Sequence, residues 1–289
     1  MELVNNILIL IIKTNMTYIH ANRANWNSRA KCHHESFEVS ETLARLRCGQ
    51  TALKETETNL LGDVRGKKIL HLMCHNGLDS ISLALKGAIV TAVDISEESL
   101  RYAHEYAETL NVKGIKFILG DVHNKLSCIE NGQFDLVFMT YGVLCWLNDL
   151  PRVFANAAQY LQKRGRLLLI DHHPFLDLLI ERDNELKLCG QYFYDSLPEQ
   201  CICRKSYIGS GQLSHPTTYQ WSHNLGNIFE AIINSGFTIK HFQEYSWIHY
   251  QRYSFLEKRA DKYYLPENMA QTPMLFSLLA SFDATPAEQ

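Results

Sequence analysis

Residues 67–94 read KKILHLMCHNGLDSISLALKGAIVTAVD, and this stretch decides the fold. Its two ends, KKILHLMC and AIVTAVD, are short apolar runs that predict β-strands. Between them, leucine and isoleucine recur with a helical period, and Gly87 follows as a suitable end for a helix. The stretch therefore predicts one strand, helix and strand unit of a parallel sheet.

The same alternation of apolar runs and helical patterns continues downstream. Ser96 can cap the next helix, and further strands are predicted at 115–121, 134–142 and 166–173. The segment DLPRVFANAAQYLQKRG predicts a helix with a basic last turn, and two later strands lie in TIKHFQEYSW and PMLFSLLASF. No clear helix separates these last two strands, so an antiparallel pairing at the sheet edge is expected. The fold class is α/β, with a Rossmann-like, doubly wound sheet.

We expect a single domain over residues 16–289, since no linker or repeat interrupts the chain. Residues 1–15 contain only six consecutive apolar residues, ILILII, where a membrane helix needs about 20. They also lack a secretory cleavage pattern, so they are expected to be a dispensable extension. The parts of the domain follow in chain order: N-terminal helices 16–60, cofactor-binding core 61–173, inserted cap 174–222, and C-terminal helix with edge hairpin 223–283.

Charge and cysteine content exclude several classes of partner. The formal net charge is -3, and no block of basic residues offers a surface for nucleic acid or anionic lipid. The eight cysteines show no CxxC spacing, which predicts reduced thiols and a cytoplasmic location. We therefore expect neither a nucleic-acid nor a membrane partner.

The cluster of His71, Cys74 and His75 raises the question of a metal site. In an extended strand His71 and Cys74 point to opposite faces, and His71 lies about 13 Å from His75. No second cluster with metal-ligand spacing supplies the missing ligands. The sequence therefore predicts no metal.

A nucleotide site requires a first strand, a tight turn, a helix and an acidic residue closing the second strand. All four are present, with Gly77 in the turn and Asp94 seventeen residues later. Asp94 would accept hydrogen bonds from ribose hydroxyls, unless it only terminates its strand. The three-glycine fingerprint of dinucleotide sites is missing, which disfavours NAD and FAD. S-adenosylmethionine carries a ribose without a phosphate and would need fewer glycines.

The stretch quoted above, together with ILGDV, FDLVFMTYGVLCWL, IDHHPF and YQWSHNLGNIFEAIINSGF, resembles the class I S-adenosylmethionine-dependent methyltransferases. More narrowly, it resembles a bacterial subgroup with a first motif like LHLxCHxGxDT and an N-terminal NRxxWxxRAxxH pattern, matched here by NRANWNSRAKCH. The resemblance implies a seven-stranded sheet with an antiparallel last strand, S-adenosylmethionine as cofactor, and transfer of a methyl group.

The resemblance also implies roles for individual residues. The loop from His71 through Met73 to Gly77 would hold the methionine part of the cofactor. The remaining expected contacts are Asp94 and Ile95 at the ribose and adenine edge, Asp121 and Val122 at the adenine, and Thr140 and Tyr141 closing the site.

Trp26 and Arg29 would lie on neighbouring faces of a helix over residues 22–34. Arg29 would then bind the cofactor carboxylate while Trp26 covers it, or both would simply pack the helix on the domain. His71 departs from the family, because most members have an acidic residue there, near the ammonium group of the cofactor. Asp79 or a backbone carbonyl near Thr140 is expected to replace that acid.

His173 and His223 follow predicted sheet edges and are the first candidates for substrate contact or a general base, the alternative being a purely structural hydrogen bond. His172 and His75 are the second pair of candidates. Residues 190–264 are rich in aromatic rings, which favours a small methyl acceptor with an O, N or S nucleophile. Two other functions remain open. One is an S-adenosylmethionine-binding protein with a different reaction or a regulatory role, and the other, disfavoured, is a nicotinamide oxidoreductase.

Overall fold

The computed structural model describes residues 2–193 and 197–283, with side chains from Met16 onward. Residue 1, residues 194–196 and residues 284–289 lie outside the described residues. The segment 1–15 enters the structure as helical backbone from Glu2, and its side chains lie outside the described residues. Its dispensability stays a prediction.

Helices occupy the N-terminal region and alternate with strands in the core. They are α1 (Glu2–His34), α2 (Phe37–Arg47), α3 (Glu55–Leu61), α4 (Leu78–Leu85), α5 (Glu97–Thr109), α6 (Leu150–Tyr160) and α7 (Leu225–Asn234), with short 3₁₀ helices at Leu144–Trp146 and Pro174–Leu178. The predicted cap of α5 is confirmed, because the Ser96 side chain accepts a hydrogen bond from the backbone N–H of Ser99.

The strands are β1 (Lys68–Leu72), β2 (Ile89–Asp94), β3 (Ile115–Leu119), β4 (Phe134–Thr140), β5 (Leu161–His172), β6 (Leu179–Arg182), β7 (Glu185–Leu188), β8 (Glu199–Ile202), β9 (Thr217–Gln220), β10 (Phe237–Tyr245), β11 (Trp247–Ile248), β12 (Glu257–Arg259), β13 (Lys262–Tyr264) and β14 (Leu275–Phe282).

Seven of these strands form one mixed sheet in the order β10-β14-β5-β4-β1-β2-β3. The pairs β1 with β2, β2 with β3, and β4 with β5 are parallel. Strand β14 is antiparallel to both β5 and β10. This arrangement confirms the expected Rossmann-like sheet with an antiparallel last strand.

The predicted end of α6 was wrong. We expected a helix with a basic last turn through Gly165, but α6 ends at Tyr160 and β5 begins at Leu161. The backbone of Leu161 is extended, and Leu161 pairs with Phe134. Because the chain leaves the helix at Leu161 to pair with β4, Lys163 and Arg164 lie within the range of β5 instead of at a helix end.

The chain divides into two compact units. Unit 1 comprises Met1–Thr58, Asp63–Leu126 and Pro198–Gln220, and unit 2 comprises Asn59–Gly62, Ser127–Leu197 and Trp221–Gln289. The predicted cap segment 174–222 contributes a β6–β7 hairpin to unit 2 and a β8–β9 hairpin to unit 1. Its role as a cap stays a prediction.

In unit 1, helix α1 is fixed to the segment that ends in β9 by two buried asparagines. The amide of Asn22 donates to the Tyr219 carbonyl and accepts from the Tyr219 N–H, both at 2.8 Å. Asn25 donates to the His215 carbonyl at 2.6 Å. A core below α1 joins it to α2, α4 and α5 through Ala30, Val39, Leu46, Ile81, Tyr102, Tyr106 and Ala107.

Unit 2 has its own core, beside β5 and β14. It contains Leu176, Leu179, Ile248, Tyr253, Leu256, Leu265 and Met274. Over the described ranges of both units, no helix combines the length and the apolar content that a membrane crossing requires.

Candidate cofactor site and the surrounding polar groups

The loop that follows β1 adopts left-handed backbone conformations at alternate residues. The φ angles are 60° at Met73, 52° at His75 and 72° at Gly77. Glycine-rich nucleotide loops use glycines for such turns, since other residues are strained there. The loop thus has the backbone of a glycine-rich loop although only one of its residues is glycine. For this reason the three-glycine fingerprint is missing from the sequence. Strain at non-glycine residues concentrates at functional sites.

Gly77 is required for close packing between the loop and its neighbours. A Cβ atom at this position would lie 2.8 Å from Cε1 of Phe117 on β3 and 2.9 Å from Cβ of Ala103 on α5. In nucleotide-binding loops one glycine serves this close approach of helix and strand. Gly77 therefore fixes the position of the loop without itself needing to contact a ligand.

Asp94 ends β2 and holds the loop in place. One carboxylate oxygen accepts from the His75 backbone N–H at 2.7 Å, and the other accepts from the Ser96 N–H at 2.8 Å. Burial raises the pKa of Asp94 to about 6, against the opposing effect of these backbone hydrogen bonds. A carboxylate can accept about four hydrogen bonds, so Asp94 retains capacity for a ligand hydroxyl. Ile95, which follows it, is partly exposed.

Asp121 and Val122 follow β3, at the same edge of the parallel strands of unit 1 as Asp94. The Asp121 carboxylate accepts from the backbone N–H of His123 at 3.0 Å and lies 2.7 Å from Nδ1 of the same residue. Val122 is buried. The Asp121 carboxylate is thus ordered by its own loop, and the adenine contacts of both residues stay a prediction.

His71 is a buried, neutral group. Its Nδ1 lies 2.7 Å from the Ser80 hydroxyl, and burial lowers the pKa of His71 to about 3. A neutral imidazole cannot balance an ammonium group as an acid would. Asp79, in the first turn of α4, is partly exposed, and burial raises its pKa to about 6 while nearby Lys54 opposes the shift. Asp79 thus remains an acidic group near the start of α4.

Arg29 is a buried cation beside Trp26. The side chain is 7% exposed, and its Nε donates to the Asn25 amide oxygen at 2.6 Å. Its guanidinium carbon lies 5.6 Å from the ring centres of both Trp26 and Tyr207. Within the described residues Arg29 forms no ion pair, although arginine is rarely buried without one. A buried guanidinium without an anionic partner fits the carboxylate of a ligand.

Next to Arg29, two histidines and a serine form a hydrogen-bonded chain. Nδ1 of His33 lies 3.0 Å from Nε2 of His75, and Nε2 of His33 lies 2.7 Å from the Ser206 hydroxyl. His33 is the last residue of the NRANWNSRAKCH pattern, but sequence reasoning gave it no role. The only available signal was its place in that pattern, because Ser206 and His75 are far away in sequence.

Unit 2 contains the predicted residues Thr140 and Tyr141. Thr140 is buried at the end of β4, and Tyr141 has a left-handed backbone with φ 55°. The buried Asp171 carboxylate accepts backbone hydrogen bonds from Gly142, from Val143 at 3.0 Å and from Leu144 at 2.8 Å. Burial raises the pKa of Asp171, and these hydrogen bonds oppose the shift. Asp171 therefore anchors the turn, a role that sequence reasoning missed.

The two predicted bases, also in unit 2, have structural contacts. Nδ1 of His173 accepts from the Phe175 backbone N–H at 3.1 Å, and its Nε2 lies 2.9 Å from a carboxylate oxygen of Glu244. This second contact has the distance of an ion pair without the angle of a hydrogen bond. Nε2 of His223 lies 2.6 Å from the Leu147 carbonyl. Burial lowers the pKa of both histidines. A catalytic role for either stays a prediction.

The structure thus brings several predicted residues of unit 1 together around the β1 loop. These are Trp26, Arg29, His71, Met73, Gly77, Asp94 and Ile95, with Asp121 and Val122 at the end of β3. Thr140, Tyr141, His173 and His223 belong to unit 2. Among the residues that the structure describes, no group of three or more His, Cys, Asp or Glu is arranged to hold a metal ion.

Comparison with known proteins shows which proteins this chain resembles. A family model for the methyltransferase domain matches residues 63–232. The bifunctional methyltransferase/kinase WbdD of Escherichia coli, an O-antigen chain terminator, is 26% identical over 132 residues, or 44% of this chain and 19% of that protein. The ubiquinone biosynthesis O-methyltransferase of Bordetella parapertussis is 30% identical over 142 residues, or 47% of this chain and 57% of that protein.

Among solved structures, an S-adenosylmethionine-dependent methyltransferase of Mesorhizobium loti has a similar fold. Its TM-score is 0.54 at 18% sequence identity, and the match covers 77% of this chain and 94% of that one. At this identity the likeness concerns the fold. The chain spans 19% and 57% of the two curated relatives, so it covers less than two thirds of either.

Proposed function

The chain belongs to the class I S-adenosylmethionine-dependent methyltransferases, since a methyltransferase-domain model matches more than half of it, and from this premise we propose that it methylates a small molecule. The observation that carries the proposal is the junction of the left-handed β1 loop with the buried carboxylate of Asp94. Such a loop and such an acid, at the ends of adjacent parallel strands, suit a ligand with a ribose.

The polar groups of unit 1 fit the cofactor. Arg29 would bind its carboxylate, because a buried guanidinium without an ion pair among the described residues suits an anion. Asp94 would accept the ribose hydroxyls with its remaining lone pairs. Ile95, Asp121 and Val122 would contact the adenine.

The ammonium group of the cofactor needs an acidic partner, and we assign that role to Asp79. His71 is neutral above its lowered pKa of about 3. The carboxyl group of Asp79 has a pKa of about 6 and is ionised at neutral pH. Partial burial strengthens its attraction for a cation.

When bound, S-adenosylmethionine supplies an electrophilic methyl group on a sulfonium. The protein then has to align the acceptor and exclude water. Trp26 and Tyr207 cover the guanidinium of Arg29 in unit 1. In unit 2, Asp171 fixes the turn that follows Thr140 and Tyr141. His173 and His223 would serve in acceptor binding or as bases.

The acceptor is proposed to be a small molecule that reacts through O, N or S. The net charge of -3 argues against a polyanionic substrate, and the aromatic residues between 190 and 264 favour a compact, partly apolar one. The cysteine spacing supports a cytoplasmic setting.

The test is an acceptor panel of small alcohols, phenols, amines and thiols incubated with the full chain and S-adenosylmethionine. Mass spectrometry would measure S-adenosylhomocysteine and the methylated product. Both should accumulate in equal amounts with at least one acceptor. Saturable cofactor binding without product from any panel member would instead support a role other than methyl transfer.

A further inference from the structure

The hydrogen-bonded chain from His75 through His33 to Ser206 has the form of a proton path. His33 is buried, His75 is partly exposed and Ser206 is partly exposed in a loop whose neighbours are exposed. The His33 and His75 ring centres lie 4.8 Å apart. Trp26 and Tyr207 pack edge-on against His33, at 6.3 Å and 5.0 Å between ring centres. These rings shield the middle of the path while both of its ends remain partly exposed.

Both imidazoles are neutral at physiological pH. Burial lowers the pKa of His33 to about 2, with added effects of His75 and Arg29. Burial and Arg29 lower the pKa of His75 to about 4. The charged groups facing the pair are Arg29 on α1 and Asp94, whose carboxylate binds the His75 backbone N–H. A neutral imidazole carries one ring N–H, so the direction of the whole chain depends on one choice of tautomer.

Each direction of the chain leaves one donor that only solvent can accept. If Nε2–H of His75 donates to Nδ1 of His33, then Nε2–H of His33 donates to Ser206, the Ser206 O–H faces solvent, and Nδ1 of His75 keeps a lone pair. In the opposite direction the donor facing solvent is Nδ1–H of His75. A base at the partly exposed end beside the cofactor loop requires the first direction.

We propose that His75 is a general base for a methyl acceptor with a proton on its nucleophilic atom, and that His33 and Ser206 relay this proton to solvent. The proposal rests on the proposed function. It also accounts for the left-handed backbone of His75, which places an imidazole where a glycine-rich loop has no side chain.

The proton and electron balance is complete. The X–H bond of the acceptor breaks, its proton binds Nδ1 of His75, and its electron pair forms the bond to the methyl group. The electron pair of the broken S–CH3 bond stays on sulfur, which becomes a neutral thioether. The Nε2 proton of His75 moves to His33, the Nε2 proton of His33 moves to Ser206, and the Ser206 hydroxyl proton moves to water. The chain then runs in the opposite direction, and it returns when Nδ1 of His75 gives its proton to water and Ser206 takes one up from water. The acceptor class is thus a hydroxyl, thiol or protonated-nitrogen compound.

The first test needs neither cofactor nor acceptor. Long-range ¹H–¹⁵N correlation spectra of the histidine-labelled full chain report which ring nitrogen carries the proton. We expect an unprotonated Nδ1 on His75 and a change of its chemical shift in Ser206→Ala, because the chain loses its end. A protonated Nδ1 on His75 in the neutral protein would overturn the proposal.

The second test uses kinetics with an acceptor found by the panel. His75→Asn keeps a residue that tolerates a left-handed backbone but removes the base. We expect kcat to fall by about 100-fold or more, with a much smaller change in cofactor affinity. His33→Gln should lower kcat and shift its pH profile, whereas His104→Gln, at an exposed histidine of α5, should do neither.

The outcomes separate the relay from the proposed function. Normal turnover by His75→Asn would refute the relay and leave methyl transfer intact. Tertiary amines and thioethers have no proton to lose on the attacking atom. If they were methylated as fast as thiols or phenols, the relay would also be refuted. If no acceptor reacts, the proposed function fails, and the tautomer measurement still decides the direction of the chain.

Discussion

Replacement of Gly77 by alanine tests how the cofactor loop is positioned. The new Cβ would lie 2.8 Å from Phe117 and 2.9 Å from Ala103, at a backbone φ of 72°. The left-handed backbone costs an L-residue about 1–2 kcal/mol, and forced overpacking costs about 1–3 kcal/mol. We expect Gly77→Ala to lower the free energy of unfolding by roughly 2–5 kcal/mol.

Gly66→Ala is the matched control. Gly66 has a φ of 69°, and nothing lies within 4 Å of its added Cβ, so only the backbone contribution applies. Urea unfolding followed by circular dichroism gives both free energies, provided that the m-values agree. Phe117→Leu should recover part of the loss in the Gly77→Ala background, because it removes the nearest ring atoms. Equal destabilisation by Gly77→Ala and Gly66→Ala would refute the close-packing argument.

Three further changes have defined outcomes. Arg29→Met should weaken S-adenosylmethionine binding at least about tenfold in calorimetry, since a charged hydrogen bond is lost. Arg23→Met, at a solvent-exposed ion pair, should not, and equal affinities would contradict the carboxylate assignment. Asp171→Asn should lower the free energy of unfolding by about 2–3 kcal/mol and speed amide exchange at residues 142–144, and unchanged exchange would exclude the anchoring role. Stability should fall from about pH 7 to about pH 5, because six histidines with lowered pKa take up protons mainly in the unfolded state. These are His33, His71, His75, His172, His173 and His223. Three carboxyl groups with raised pKa act in the opposite direction but are fewer, namely Asp79, Asp94 and Asp171. Unfolding curves that coincide at the two pH values would contradict this balance.

Local patterns predicted the sheet because each strand of the core is a short apolar run with helical periods between the runs. The cap of α5 could also be predicted, because the Ser96 side chain accepts a hydrogen bond from Ser99, only three residues away. The end of α6 could not be predicted, since the pairing of Leu161 with Phe134 overrides the helical pattern. Local propensity is a weak guide where tertiary pairing competes with it.

The candidate site was only partly predictable for the same reason. Asp94 and Gly77 follow strands or turns at recognisable spacings. The hydrogen bond between His33 and His75 joins two segments that are distant in sequence, and no periodicity in the sequence predicts it. The left-handed conformations of Met73 and His75 were hidden because neither is glycine. Asp171 lies inside a strand pattern, and its contacts with the turn at 142–144 depend on the neighbouring strand.

Calorimetric titration of the full chain with S-adenosylmethionine tests the central claim most directly. It should be performed well above the pKa of about 6 of Asp94, so that the carboxylate is ionised. We predict one saturable site with a Kd of about 1 mM or tighter, loss of binding in Asp94→Ala, and unchanged binding in Asp63→Ala, at an exposed aspartate paired with Arg65. Urea unfolding of Asp94→Ala would verify that the variant is folded. Absence of binding to the wild-type chain, or wild-type affinity in folded Asp94→Ala, would contradict the account.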